Sequence, residues 1–191
     1  MVVIDNNNSN NYIQSLVNSA RVARLATIDF DETKPHIVPV VFVFDGNSYY
    51  IPIDKKFKKD YDPKRLRRVR NIQANPNVAL LIDEYDEDWS KLFFIMIQGK
   101  GSLIGNFTGW DDGRIVRNIE SDKKSTQLHL HRQLKKSSNL RNSSGRSDDL
   151  LKIVQSLLIE KYPQYHKISM GQWCIKIWPE KVFAWKMSSS S

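Results

Sequence analysis

Short runs of apolar residues separated by polar turns fill the first half of the chain and predict strands. Residues 22–29 are rich in small and branched apolar side chains and end in a polar turn, which is typical of a strand. Residues 36–44 are apolar at nearly every position, which indicates a strand covered on both faces, as in a small barrel or at a subunit interface. Asp45-Gly46 is a strong hairpin signal, so residues 48–53 are expected to return antiparallel.

Further strands are predicted over residues 78–82, 93–104, 173–178 and 182–187. Gly99 and Gly101 indicate a bulge or a sharp coil within the second of these. Pro179-Glu180 is expected to turn the last two into a terminal hairpin. Pro39 and Pro52 each remove a ladder donor, so both are expected at an edge, at a bulge or where no strand pairs.

Helical spacing of apolar residues predicts helices over residues 12–20, 63–74 and 150–162. Asn10 or Asn11 would cap the first helix. Pro63 is a favoured first-turn residue for the second, which stops before Asn75-Pro76. Asp148-Asp149 would cap the third.

The remaining segments set the domain organisation. Residues 1–11 and 188–191 are predicted tails, and residues 121–147, dominated by Lys, Arg, Ser, Asn and Gln, a flexible basic insertion. A single domain over residues 12–187 is therefore expected. Its six or seven mostly antiparallel strands, with two or three helices between them, favour a mainly β fold with flanking helices, a small barrel. They argue against a doubly wound nucleotide-binding fold, as does the lack of a Gly-rich phosphate fingerprint.

Positive charge is concentrated in one stretch of the chain. The formal net charge is +8, and residues 55–70 contain nine Lys or Arg against Asp60 and Asp62, a local balance of +7. This stretch leads from a strand into the predicted helix at Pro63, where helix amides and fixed cations can hold phosphate. Nucleic acid, acidic lipid and phosphorylated cofactors all remain candidate partners.

Cysteine usage and hydropathy bear on the compartment. Cys174 is the single cysteine, which excludes an intrachain disulfide and fits a reducing cytosol, where we expect it to be a buried thiol. No apolar run approaches the roughly 20 residues of a membrane helix, and no signal-peptide core is present at the amino terminus. A cytoplasmic protein without membrane attachment is the expectation.

Seven sequence pieces follow one another from about residue 22 to residue 187: Arg24-Leu-Ala-Thr-Ile-Asp29, Pro35-His-Ile-Val-Pro-Val40, Asp54-Lys-Lys-Phe-Lys58, Leu66-Arg-Arg-Val-Arg-Asn-Ile72, Asn75-Pro-Asn-Val-Ala-Leu-Leu-Ile-Asp83, Tyr85-Asp86 with Asp88-Trp89, and Tyr162-Pro-Gln-Tyr165. In this order and spacing the chain resembles the split-barrel flavoproteins related to pyridoxamine 5'-phosphate oxidase. More narrowly, it resembles their deazaflavin-dependent branch, which uses coenzyme F420.

The resemblance implies a six- to seven-stranded antiparallel split β-barrel that forms a homodimer, with two cofactor sites between the subunits. Arg67 and Arg68 would hold the cofactor phosphate, with Lys56 and Lys58 as the next candidates. The ring would lie against the second strand and the end of the strand before the basic stretch. The candidate cofactor-binding residues are His36, Val38, Pro39, Val40, Ile53, Asp54, Lys56, Lys58, Arg67, Arg68 and Asn71.

The implied function is a hydride-transferring oxidoreductase that acts on a small organic substrate. The Arg-Leu-His type of ending with which true vitamer oxidases hold pyridoxal phosphate is missing, so the namesake reaction is not expected. No catalytic side chain is assigned, because the cofactor supplies the chemistry. His129 and His131 lack a third ligand, so no metal site is assigned.

Several alternatives stay open at this point. FMN could replace F420 in the same fold, since both present a phosphate and a tricyclic ring. A non-enzymatic cofactor carrier and a basic nucleic-acid binder are the rivals from other classes, the latter without a recognisable motif. His36 either touches the cofactor or ends its strand, and Trp185 and the acidic residues 83–88 could belong to a partner-subunit site.

Overall fold

A computed structural model describes residues 7–54, 62–105, 143–168 and 171–186, with side chains from residue 11 in the first range and residue 149 in the third. These ranges contain three helices: α1 (Asn7–Ser19), α2 (Arg67–Ala74) and α3 (Ser143–Lys161). The strands are β1 (Ala23–Ile28), β2 (Pro35–Val40), β3 (Val43–Phe44), β4 (Tyr49–Pro52), β5 (Asn77–Glu84), β6 (Phe93–Gly105) and β7 (Trp173–Lys186). Short 3₁₀ turns cover Pro63–Arg65, Trp89–Lys91 and Pro163–His166.

The seven strands form one antiparallel sheet in the order β2-β1-β5-β6-β7-β4-β3. The sheet curls into a half-barrel, which confirms the mainly β architecture predicted from the sequence. Within the described ranges, none of the helices is both long and apolar enough to cross a bilayer.

The main core lies inside the curl of the sheet, under α1 and α2. Leu25, Leu80 and Ile97 come from three adjacent strands and are fully buried there, while Val17 and Ile72 close it from the helices. Burying an aliphatic side chain of this size contributes about 1.5–3 kcal/mol. Packing of the alternate strand residues therefore holds α2 against β1 and β6.

A second core covers part of the opposite side of the sheet. Val154 and Leu158 of α3 pack on Tyr50 of β4 and Cys174 of β7. The rest of this side, formed by β2, β1, β5, the first half of β6 and the second half of β7, has no helix over it among the described residues; we call it the open sheet face. Ile37 and Phe94 lie on it with 62% and 38% of their surface exposed.

The terminal hairpin predicted at Pro179-Glu180 is wrong, because β7 is continuous from Trp173 to Lys186 and pairs with β6 along its length. Gln98 pairs with Lys181 and Gly99 with Pro179, so the register shifts by one residue there. Pro179-Glu180 is therefore a bulge within one long strand. The register shift beside Gly99 also confirms the irregularity predicted there.

Element boundaries differ from the predictions in two places. α1 begins at Asn7, within the predicted tail of residues 1–11, and α3 begins at Ser143, within the predicted insertion of residues 121–147. The rest of that insertion lies outside the described residues. Polar residues are compatible with both a helix terminus and a loop, so the starts of α1 and α3 could not be predicted from composition.

The predicted second strand is divided into β2 and β3. Between them the backbone N–H of Phe42 donates to the hydroxyl of Tyr162 at 3.1 Å, and that hydroxyl donates to the carbonyl of Phe42 at 2.9 Å. A side chain 120 residues away thus takes the place of a strand partner. Both strand prolines lie as expected: Pro39 is on the edge strand β2, and Pro52 lies beyond the part of β4 that pairs with β3.

Candidate functional site

The start of α2 combines positive charge with a helix terminus that no side chain caps. Leu66 is the residue before the helix and offers no capping oxygen, and the first turn contains no acidic residue. Arg67 is exposed and Arg68 is half-buried. The amide groups at a helix N-terminus and basic side chains both favour an anion, so this terminus is suited to a phosphate.

Arg67 is held in place by a buried carboxylate. Its Nε donates to Asp29 Oδ2 at 2.5 Å, and the Asp29 side chain is only 2% exposed whereas that of Arg67 is 56% exposed. Asp29 Oδ1 also accepts the backbone N–H groups of Asp31 and Glu32, each at 3.0 Å. The hydrogen bond from Arg67, followed by the backbone bonds, lowers the pKa of Asp29 to about 2.

The bond to Asp29 leaves most of the Arg67 donors available. A guanidinium group has five N–H donors in a planar fork, and only the Nε–H is used here. Asp29 therefore fixes the group at its Nε–H, while the Arg67 side chain as a whole remains exposed. Arg70 makes a different contact, since its guanidinium carbon lies 3.8 Å from the ring centroid of Phe30, the residue after Asp29 in the β1–β2 turn.

Asn71 is the interior link between α2 and the first two strands. It is fully buried, its Oδ1 accepts from Phe30 N at 3.2 Å, and its Nδ2 donates to Thr27 Oγ1 at 2.9 Å. Thr27 Oγ1 in turn lies 3.4 Å from both Nδ1 and the carbonyl oxygen of His36. Asn71 was predicted to bind the cofactor, but both side-chain hydrogen bonds described for it are to other protein groups.

The predicted ring-facing residues of β2 divide between the two sides of the sheet. Val38 and Val40 pair with Leu25 and Ala23 and face the main core, where Val40 is buried and Val38 half-buried. Pro39 faces the other way and is exposed on the open sheet face. Part of the predicted ring-binding strand therefore lies on the uncovered side.

The end of β4 is fixed by residues far away in the sequence. Ile53 is a core residue whose N–H donates to the carbonyl of Trp173 at 3.0 Å. Asp54 Oδ1 accepts the hydroxyl of Tyr165 at 2.8 Å. Burial raises the pKa of Tyr165, and the hydrogen bond from its hydroxyl to Asp54 raises this pKa further.

His36 and Asn71 are joined through Thr27, and Arg67 is bonded separately to Asp29. Ile53 and Asp54 are held by a third set of contacts. Lys56 and Lys58 lie outside the described residues. The sequence assigned no site role to Thr27, Asp29 or Tyr165. Two polar residues in an apolar strand, and the repeated tyrosine of Tyr162-Pro-Gln-Tyr165, were the signals available.

Cys174, Trp185 and a metal site were also considered from the sequence. Cys174 is buried, as predicted, and burial raises the pKa of its thiol to about 12, so the thiol is unreactive at neutral pH. The ring of Trp185 stacks on Phe94 with centroids 6.0 Å apart, on the open sheet face. In the described part of the chain, no three His, Cys, Asp or Glu side chains converge to hold a metal ion.

The seven-stranded antiparallel sheet, curled into a half-barrel, defines a split-barrel protein. Residues 10–138 match the family model described as pyridoxamine 5'-phosphate oxidase, and the chain belongs to this family. A comparison of the sequence with curated proteins finds no significant match.

Solved structures share the fold at low sequence identity. A conserved hypothetical protein, Rv2991 from Mycobacterium tuberculosis, is similar with a TM-score of 0.55 at 15% identity, covering 98% of this chain and 94% of that one. The heme storage protein HutZ from Vibrio cholerae is similar with a TM-score of 0.53 at 13% identity, covering 91% and 92%. Atu2129 from Agrobacterium tumefaciens, of unknown function, has a TM-score of 0.53 at 10% identity, covering 95% and 60%.

Proposed function

We propose that this protein is an oxidoreductase that uses coenzyme F420 to transfer a hydride to or from a small organic molecule. The observation that carries the proposal is the uncapped, arginine-bearing start of α2, in which Asp29 orients Arg67. Membership of the pyridoxamine 5'-phosphate oxidase family supports a cofactor of the flavin type. The motif pieces quoted above favour the deazaflavin branch within it.

The donor set at α2 fits the phosphate of such a cofactor. The exposed side chain of Arg67, together with Arg68 and the first amide groups of the helix, would hold the phosphate as charge-assisted donors. Lys56 and Lys58 would add to this set. When bound, the deazaflavin supplies the hydride chemistry, and the protein's part is to orient the ring and exclude water.

The open sheet face supports a homodimer as the working form. It has exposed apolar side chains at Ile37 and Phe94, and one ion pair, Arg24 with Asp83, lies on it. An uncovered apolar face of this kind commonly marks an interface. A second copy of the chain would bury the open sheet face, including the exposed Pro39 of β2. The two copies together would then complete a cofactor cleft.

The dimer has a direct test. Ile37→Glu places a charge on the open sheet face and is expected to give a monomer by light scattering, whereas the parent gives a dimer. Ile153→Glu, on α3 and 44% exposed, is the matched control and should leave the dimer intact. A monomeric parent, or a dimer that tolerates Ile37→Glu, contradicts the interface.

The cofactor assignment is tested by titrating the purified protein with F420 and with FMN. Charge-assisted hydrogen bonds contribute about 1.5–3 kcal/mol each, so Arg67→Ala with Arg68→Ala should weaken F420 binding about 100-fold or more. Lys152→Ala with Lys167→Ala removes the same charge from exposed positions away from the open sheet face and should change binding little. Equal affinity of the parent and the arginine variant, with both folded, rejects the site.

The same titration separates the alternatives. Tighter binding of FMN than F420 would make the protein an FMN-dependent oxidase or reductase of the same fold. A bound ring without turnover on any acceptor would make it a carrier, a role to which the similarity to a heme storage protein lends some support. Steeply salt-dependent binding of nucleic acid without ring binding would favour the basic binder.

A further inference from the structure

A buried hydrogen-bond network runs from α2 to the edge strand β2 and ends on His36. Asn71 is fully buried and Thr27 is 2% exposed, while His36 is half-buried. Three groups surround the hydroxyl oxygen of Thr27: Asn71 Nδ2 at 2.9 Å, His36 Nδ1 at 3.4 Å and the His36 carbonyl oxygen at 3.4 Å. This hydroxyl is therefore the centre of the network, and its proton can serve only one of them.

The direction of the first bond follows from chemistry. The backbone N–H of Phe30 can only donate, so the Asn71 atom that faces it at 3.2 Å must be the amide oxygen. The amide NH₂ then faces Thr27 and donates to its oxygen at 2.9 Å. Thr27 enters the rest of the network with one lone pair occupied and its proton unassigned.

The remaining two contacts can be satisfied together in only one way. A threonine hydroxyl has one proton and two lone pairs. If the proton goes to the His36 carbonyl, the second lone pair is left to accept from His36 Nδ1–H, and every group around the oxygen is paired. If the proton goes to Nδ1 instead, the hydroxyl makes one hydrogen bond fewer, although the His36 carbonyl keeps its place in the β1–β2 ladder opposite Thr27. The first arrangement is favoured because it makes the larger number of hydrogen bonds around a buried oxygen.

We propose that Asn71 and Thr27 hold neutral His36 in the Nδ1–H tautomer, so that Nε2 is presented as a hydrogen-bond acceptor to an N–H or O–H donor of the bound ring or substrate. Thr27 and Asn71 are positioning residues in this scheme, and His36 is the residue that contacts the ligand. The ligand part rests on the proposed function. The tautomer part depends only on the protein.

The tautomer is read directly from the ¹⁵N shifts of the two ring nitrogens by NMR. The measurement uses the full chain without cofactor at about pH 8.5, where histidines are in general neutral, with His36→Phe to assign the signals. The parent should show Nδ1 protonated and Nε2 bare, by about tenfold over the other tautomer. Thr27→Ser keeps the hydroxyl and should preserve this pattern, while the nearly isosteric Thr27→Val should abolish the preference.

Either of two NMR results overturns the tautomer assignment: a parent with Nε2 protonated, or a Thr27→Val variant with an unchanged pattern. The ligand part is tested by the affinity for F420. His36→Phe should weaken it about fivefold, because one hydrogen bond is lost. The matched change His166→Phe, at an exposed position of the last 3₁₀ turn, should leave it unchanged. Equal affinity in both variants overturns His36 as a ligand contact. If the parent binds neither F420 nor FMN, the proposed function and the ligand part fail, and the tautomer result stands by itself.

Discussion

Arg67 and Asp29 are 38 residues apart in the sequence, and the Nε of the first lies 2.5 Å from Oδ2 of the second. The carboxylate is buried and accepts two backbone N–H groups as well, so Arg67 is fixed by a group that is itself fixed by the β1–β2 turn. The basic start of α2 is therefore ordered by an interaction with the sheet. It differs in this respect from a solvated charge run.

Asp29→Asn is expected to lower the melting temperature by roughly 2–10 °C at neutral pH. The variant loses the negative charge that pairs with Arg67 and that accepts the backbone N–H groups of Asp31 and Glu32 in the turn. Asp31→Asn changes an exposed carboxyl in the same turn and should have little effect, which makes it the control.

The same pair predicts a pH dependence of stability. The folded protein holds the pKa of Asp29 at about 2, below its ordinary value of 3.8, so the contribution of this carboxylate is complete above about pH 4 and is lost as the pH falls through 2. Urea midpoints measured between pH 2 and pH 5 should fall more steeply for the parent than for Asp29→Asn. Parallel curves would contradict this account of the pair.

Tyr165→Phe is expected to weaken cofactor binding about fivefold, because it removes the hydrogen bond that orients Asp54 at the end of β4. The chain contains a matched pair for comparison, since the hydroxyl of Tyr50 donates to Asp45 at 2.7 Å beside the β3–β4 turn. Tyr50→Phe should cost similar stability without changing affinity. Equal affinities of the two variants in the F420 titration would remove Asp54 from the site.

Lys161 predicts a second rise of stability with pH, on the alkaline side. Its Nζ donates to the carbonyl of Val17 at 3.1 Å and lies 3.8 Å from the ring centroid of Phe42, and burial, with a smaller effect of Arg21, lowers its pKa from 10.5 to about 8. Because the charged form is disfavoured in the folded state, stability should rise between about pH 8 and pH 10.5.

Lys161→Met should remove this rise while keeping the apolar part of the side chain. Lys152→Met, at an exposed position of the same helix, should keep it. Thermal unfolding of the two variants over this pH range gives the comparison, and identical profiles would show that folding does not lower the pKa of Lys161.

Gly99→Ala is expected to be among the most damaging small changes in the chain. A Cβ at this position would lie 2.0 Å from the backbone carbonyl oxygen of Trp178, in the bulge that bends β6 and β7. Overpacking costs about 1–3 kcal/mol when side chains can move, and here the obstacle is backbone. Gly101→Ala meets only the side chains of Val78 and Ile72 at 3.2–3.4 Å, so it should cost less. Similar unfolding midpoints for the two variants would contradict the close approach.

The sequence by itself was enough for most of the strands and for the location of the positive charge along the chain. β1 and the Asp45-Gly46 hairpin follow from local composition and turn chemistry, and the irregularity at Gly99 follows from its lack of a side chain. The missing donor of Pro39 allowed an edge, a bulge or an unpaired position, and the structure has the edge. These features depend on residues close together in the chain, which is why a local pattern predicts them.

Only the tertiary structure decided how these elements are joined. Tyr162 interrupts the second strand from 120 residues away, Asp29 fixes Arg67, and the pair Pro179-Glu180 becomes a bulge because β6 pairs with the strand on both sides of it. Each depends on a partner distant in sequence that satisfies a buried polar group or continues a ladder. A polar residue in an apolar segment shows that such a partner is needed, but packing alone decides which residue supplies it.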